Sequence, residues 1–187
     1  NWRGPRVKRD GGLVWVFGVG VLLTGEAGGG KSEGALELVK RGHKLVADEV
    51  VDITRDAENR QVGEAPERVR HFMEIRGLGI IDIRAMYGIG SVIKSKSIDV
   101  VIHLELWREE KDYDRLGLSE EYISIMGVKL PYIVMPVRPG RNLAIIVEVA
   151  ARNFRLKRMG YNAAVELDNR LNEMLQRSRE QGPDLEE

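Results

Sequence analysis

The residues with the clearest chemical reading are Gly25-Glu26-Ala27-Gly28-Gly29-Gly30-Lys31-Ser32, which fit the spacing Gly-x-x-x-x-Gly-Lys-[Ser/Thr]. Four glycines let the backbone turn several N–H groups toward one point, the geometry that cradles phosphate oxygens. In such a loop Lys31 would sit against the β- and γ-phosphates, and the Ser32 hydroxyl would ligate Mg²⁺. The flanks suit the motif. Residues 19–23 form an apolar run of strand length, and residues 32–41 predict a helix closed by Gly42.

A phosphate loop alone does not select a reaction, because ATPases, GTPases and small-molecule kinases all use one. The choice lies with the carboxylate that serves the metal or aims the nucleophile. Two strand-end carboxylates compete: Asp48, followed by Glu49, after Lys44-Leu45-Val46-Ala47, and Glu105, after residues 99–104. A motor or transport ATPase would favour Glu105. Either could equally be a solvated charge at a strand end.

The chain has 187 residues, 43% hydrophobic and 31% charged, which predicts a globular domain with a sizeable core. Twenty-nine basic residues balance 29 acidic ones, which gives no support to nucleic-acid binding. The absence of Cys removes disulfides, thiolate metal sites and a thiol nucleophile, and fits a cytoplasmic setting. No apolar run approaches the roughly 20 residues that cross a bilayer, so no membrane partner is expected. Without an initiator Met, the chain reads as a processed protein or a fragment.

The elements that must position the loop follow from the apolar pattern. Residues 1–10 are basic and read as irregular. Residues 13–17 and 19–23 predict two strands parted by Gly18, and residues 44–53 one or two more. Residues 56–63 predict a polar turn, and residues 65–74 a short helix behind Pro66. Residues 84–87 read as helical. Residues 98–106 and 130–137 predict strands, with a charged exposed loop over 108–118. Two helices, 143–159 and 163–179, break at Gly160, and the acidic end 181–187 should fray. The sum is a mixed α/β domain with one nucleotide site. We divide it into a basic segment at 1–12, a catalytic body at 13–165 and a C-terminal helix with its tail at 166–187.

Several further motifs resemble the C-terminal catalytic domain of the bacterial HPr kinase/phosphorylase family, in family order over roughly residues 10–165. They are Gly18-Val19-Gly20-Val21-Leu22-Leu23-Thr24-Gly25, Gly30-Lys31-Ser32-Glu33, Arg41-Gly42-His43 and Leu45-Val46-Ala47-Asp48. Met73-Glu74-Ile75-Arg76-Gly77-Leu78-Gly79-Ile80-Ile81-Asp82, Tyr113-Asp114-Arg115-Leu116-Gly117, Pro136-Val137-Arg138-Pro139-Gly140-Arg141-Asn142 and Met159-Gly160-Tyr161-Asn162-Ala163-Ala164 complete the set. The resemblance implies a P-loop fold related to phosphoenolpyruvate carboxykinase. It implies phosphorylation of a serine of the phosphocarrier HPr with ATP, with pyrophosphate as an alternative donor, in carbon catabolite repression. It also implies the reverse reaction, in which inorganic phosphate attacks phosphoserine and pyrophosphate leaves. Family members are hexamers, and they carry an N-terminal domain for which this chain has no counterpart.

The resemblance further implies residue roles. Asp48 becomes the catalytic acid and base, and Lys31 and Arg115 neutralise charge on the transferring group. Ser32 and Glu74 hold Mg²⁺. Residues Met73 to Asp82 are a motif of the catalytic region, and Pro136 to Arg141 form the loop that serves chiefly phosphorolysis. His43 and His103 read as structural, and His71 is given no role. The region 154–164 helps a neighbouring subunit meet HPr.

Some positions depart from the family pattern. Asp10 stands where the family has a His beside the catalytic Asp, and would act there as a like charge that raises the Asp48 pKa. Glu49 replaces the second Asp of a common pair, Glu26-Ala27 replace Asp-Ser, and Trp15 replaces an acid. A nucleotide-binding regulatory protein with weakened catalysis is therefore one alternative. A P-loop small-molecule kinase is the other.

Overall fold

The structure is a computed structural model, which describes residues 5–25, 30–109, 120–138 and 142–182. The expected loop 108–118, the end 181–187 and the segments around Arg115 and Pro139 to Arg141 therefore lie wholly or partly outside the described residues. The elements run β1 (Arg6–Asp10), β2 (Gly12–Val16), β3 (Val19–Gly25), α1 (Lys31–Lys40), β4 (Lys44–Ala47), β5 (Val50–Arg55) and β6 (Gln61–Glu64). They continue with β7 (Phe72–Ile75), β8 (Gly79–Asp82), α2 (Ile83–Tyr87), β9 (Ser95–Ser97), β10 (Val100–Leu106) and β11 (Glu121–Ile125). Last come β12 (Val128–Val137), α3 (Leu143–Arg158) and α4 (Ala163–Gln181).

A six-stranded sheet in the order β11-β12-β10-β3-β2-β4 is the centre of the molecule. Its strands β12, β10 and β3 are parallel, and the flanking pairs are antiparallel. Parallel strands covered on both faces carry near-continuous apolar runs, which is why residues 19–23 and 100–104 lack alternation. One face buries Val21, Leu23, Ile102 and Leu104 against Ala35 and Leu38 of α1 and Ala144 and Val147 of α3. The other face buries Leu22 and Val101 with Val51 and Ile53 of β5. That second layer is a four-stranded antiparallel sheet, β1-β5-β6-β9.

The two sheets touch closely. A methyl group added at Gly20 of β3 would overlap the Ser97 carbonyl of β9. Helices α1 and α3 also approach closely, since a methyl at Gly34 of α1 would come 2.6 Å from a Leu143 methyl of α3. Arg41 and the buried His43, just past α1, both bind Glu148 of α3, at 2.7 Å and 2.8 Å. His43 is thus structural, as expected. No helix among the described residues is long and apolar enough to cross a membrane.

Four local expectations need correction. Residues 6–10 are not irregular: β1 pairs with β5 from Arg6 opposite Thr54 to Asp10 opposite Val50. The predicted turn 56–63 ends early, and Gln61–Glu64 joins the second sheet through β5 and β9. The helix expected at 65–74 is one 3-10 turn, Glu67–Val69, followed by strand β7. Finally, β11 was not anticipated, although it forms an edge of the central sheet.

Candidate functional site

The phosphate loop leaves β3 at Gly25 and enters α1 through Gly30. Gly25 has φ 131° and lies against the Leu104 backbone so closely that a side chain would overlap the Leu104 carbonyl. Gly30 is the N-cap with φ 78°, a left-handed conformation that favours glycine. It offers no side-chain cap, so the first amides of α1 remain for an anion, with the helix dipole in support. Residues 26–29, hence Glu26, Ala27, Gly28 and Gly29, lie outside the described residues. Lys31 donates from Nζ to the Gly25 carbonyl at 2.9 Å, folding its ammonium back across the loop.

Asp48 stands between β4 and β5, opposite the start of α1. The Ser32 hydroxyl donates to Asp48 Oδ1 at 3.1 Å, and the Glu74 backbone N–H also donates to this carboxylate. Burial raises the Asp48 pKa above the usual carboxylate range and is the largest influence. The two hydrogen bonds oppose it, Glu49 adds a like charge, and Lys31 counters it. Glu49 has φ 65°, unusual for a residue with a side chain. Its carbonyl accepts the Gly11 N–H at 2.7 Å, which fixes the turn that presents Asp48.

The Met73 to Asp82 segment is a hairpin, β7 paired with β8 from Phe72 opposite Asp82 to Ile75 opposite Gly79. Strand alternation divides its duties. Met73 is buried and Ile75 packs on the same core, whereas Glu74 and Arg76 line the cleft. Gly77 (φ 89°) and Leu78 make the turn, and Leu78 and Ile80 are exposed. Ile81 packs back on the core, and Asp82 caps α2 by accepting the Ala85 N–H at 3.0 Å.

One cleft of about 560 Å³ gathers Gly11, Gly12, Gly30, Lys31, Ser32, Glu33, Ala35, Asp48, Glu49, Glu74 and Arg76. Ser32, Asp48 and Glu74 offer hard oxygen donors, and Lys31 and Arg76 offer cations. Among the described residues no three acidic or His side chains gather tightly enough to hold an ion alone. Mg²⁺ shared with nucleotide phosphates needs only one or two protein oxygens, so the donor set fits that ion. Glu105, the competing carboxylate, does not line this cleft; it pairs in β10 opposite Pro136 of β12.

Asp10 is not among the residues that line this cleft. It ends β1 and lines a second cavity of about 430 Å³ with Lys8, Thr24, His103 and Tyr132. The like charge that acts on Asp48 is Glu49. Of the later motifs, Pro136 and Val137 close β12, and the Arg138 guanidinium lies 4.1 Å from the centre of the Trp107 ring. The spacing of the phosphate loop marked Lys31 and Ser32, and the family resemblance marked Asp48 and Glu74. Neither gave Arg76 a role of its own or singled out Glu33; strand alternation from Glu74 is the signal that places Arg76, and Glu33 follows from its place in the first turn of α1 beside Ser32.

The profile of the HPr serine kinase C-terminal domain matches residues 4–171. The chain is 59% identical over 173 residues to the HPr kinase/phosphorylase of Caldicellulosiruptor bescii, covering 92% of this chain and 56% of that protein. It is 54% identical over 172 residues to the HPr kinase/phosphorylase of Bacillus subtilis, again covering 92% and 56%. The chain thus spans about 56% of the length of each of these relatives. A solved structure of the HPr(Ser) kinase/phosphatase from Coxiella burnetii superimposes with a TM-score of 0.77 at 34% identity, over 86% of this chain and 98% of that one.

Proposed function

The chain belongs to the HPr serine kinase C-terminal domain family, and from that premise we propose that it phosphorylates a serine of HPr with ATP and reverses the reaction by phosphorolysis. The observation that carries the reading is the meeting of Lys31, Ser32, Asp48 and Glu74 in one cleft at the phosphate loop. Asp48 takes the serine proton as the hydroxyl oxygen attacks the γ-phosphorus, the bond from that phosphorus to the β–γ bridging oxygen breaks, and ADP leaves. In reverse, an oxygen of inorganic phosphate attacks phosphoserine, the P–O bond to serine breaks, and Asp48 returns the proton to the serine oxygen. A carboxylate with a raised pKa suits both directions, because it is a stronger base when ionised and a readier donor when protonated than an ordinary one. Lys31, with Arg115, balances charge on the transferring group. Ser32 and Glu74 hold Mg²⁺, which draws phosphate charge when bound.

Residues Pro136 to Arg141 hold the second phosphate of the reverse reaction. The stacking of Arg138 on Trp107 supports a fixed cation there. The chain also uses pyrophosphate as a donor. The catalytic body spans residues 13–165, extended by β1, and works in the cytoplasm as a homohexamer. Exposed apolar residues of α4, among them Leu171, Met174 and Leu175, support association through that helix.

Incubation with ATP, Mg²⁺ and HPr, then weighing HPr, tests the proposal. An 80 Da gain on HPr, reversed by phosphate with release of pyrophosphate, is expected. Nucleotide binding with no mass change would favour the regulatory alternative. Unmodified HPr with turnover of a small acceptor would favour the small-molecule kinase.

A further inference from the structure

We propose that His103, on β10, is a positioning residue for the nucleotide site and acts through Thr24. The inference rests on the reading of the cleft as a nucleotide site. Thr24 and His103 are register partners on the parallel strands β3 and β10. Their side chains share the face that carries Leu22 and Val101, away from α1 and α3, and both line the second cavity. His103 Nδ1 and Thr24 Oγ1 are 2.9 Å apart in a hydrogen bond. The imidazole also stacks on Tyr132, with ring centres 5.8 Å apart and planes at 30°. Stacking fixes the ring, and the ring then selects the Thr24 rotamer.

Both arms of the nucleotide site depend on that rotamer. Thr24 is bonded directly to Gly25, whose carbonyl receives Lys31 Nζ. With Oγ1 on His103, the Thr24 methyl is turned toward Gly11: a methyl at Gly11 would meet it at 3.3 Å and the Leu23 carbonyl at 2.5 Å. Gly11 in turn donates its N–H to the Glu49 carbonyl and so braces the turn that presents Asp48. One hydrogen bond therefore fixes the entry of the phosphate loop and the base of the catalytic turn. His103 does not line the cleft, so it does not touch the reacting groups.

The test is calorimetric binding of ATP with Mg²⁺ to the full chain and to five variants: His103→Leu, His103→Asn, His103→Gln, Thr24→Val and the double variant Thr24→Val/His103→Leu. His103→Leu should weaken binding about five- to tenfold, the worth of one partly buried hydrogen bond. His103→Asn should restore affinity to within about twofold, because the Asn amide falls near the place of Nδ1. His103→Gln should not, because its amide falls near Nε2. Thr24→Val should match His103→Leu, and the double variant should lose no more than either, since both remove one bond. Unchanged affinity in His103→Leu, equal rescue by Asn and Gln, or additive losses would overturn the proposal. Failure of the wild-type chain to bind ATP, or binding undiminished in Lys31→Ala, would overturn the nucleotide reading and this inference with it.

Discussion

Replacing Asp48 by Asn should stabilise the chain while removing its chemistry. The Ser32 hydroxyl and the Glu74 N–H both donate to Asp48, and Asn keeps a neutral oxygen acceptor in the same place. What disappears is the charge. Burial raises the Asp48 pKa, which means that the folded state disfavours its carboxylate. Relief of that penalty, discounted for the partial exposure of the cleft, is about 1 kcal/mol. In a chain of this size that raises Tm by about 2–4 °C at neutral pH. The sign follows from linkage. A group whose folded pKa lies above its unfolded value contributes stability below the unfolded pKa and loses it as pH rises through the folded pKa. The Tm gap between Asn variant and wild type should therefore open as pH climbs through the raised pKa of Asp48. It should close below the ordinary carboxylate range, where Asp48 is protonated in both states. Kinase activity should fall about 10²–10⁴-fold, the usual contribution of a positioned base. ATP affinity should change by less than about threefold, because no phosphate contact is assigned to Asp48. Calorimetric melting from pH 3 to 8, the mass assay of HPr phosphorylation and ATP titration read the three in turn. A lower Tm at neutral pH, or a gap that persists in acid, would refute the buried-charge account. Loss of ATP binding would make Asp48 chiefly a metal ligand.

Glu49→Gln removes the like charge beside Asp48, so the acid limb of the kinase pH–rate profile should move to lower pH; an unmoved limb would show that Glu49 does not reach the catalytic group. Lys31→Ala should lower kinase turnover by at least about 10²-fold by removing the cation at the transferring phosphate, and undiminished turnover would sink the assignment of the loop. Arg138→Ala and Arg141→Ala should weaken phosphorolysis more than phosphorylation, read as pyrophosphate release against phospho-HPr formation, and equal losses would deny this loop a separate task. Glu148→Ala leaves the buried His43 and the adjacent Arg41 without their shared carboxylate, and should lower stability by about 1.5–3 kcal/mol by denaturant titration.

The sequence revealed most where chain direction alone sets the geometry. The strand, glycine loop and helix of residues 19–41 are contiguous, so the motif carries its own scaffold. Asp48 was one of two candidates because strand ends look alike in one dimension. Choosing it over Glu105 from geometry required knowing that β4 reaches β3 through β2, across an antiparallel step that periodicity does not encode. The hairpin at Met73 to Asp82 was legible as a motif but not as a strand pair, since its Glu74 and Arg76 face the cleft and break the apolar run. Strand β1 was missed for a related reason. Its residues Arg6-Val7-Lys8-Arg9-Asp10 have almost no apolar signal, and it is a strand because β5 offers an open edge for Val7 to pair with Ile53. That register sets Asp10 opposite Val50, and Asp10 lines the cavity that also holds Thr24 and His103.

The contact between Gly34 and Leu143 carries a constraint on how such a chain can vary. α1 begins at the phosphate loop and α3 begins just after residues 136–141, so the two loops are mounted on neighbouring beams with one close touching point. A side chain at position 34 has no room unless position 143 gives up volume, and a smaller residue at 143 leaves a void that position 34 can fill. The two positions should thus drift together or not at all. Gly34→Ala made with Leu143→Val should retain both reactions better than Gly34→Ala alone. The spacing between the starts of α1 and α3 is in this sense held as a joint property of two distant residues, and neither records it by itself.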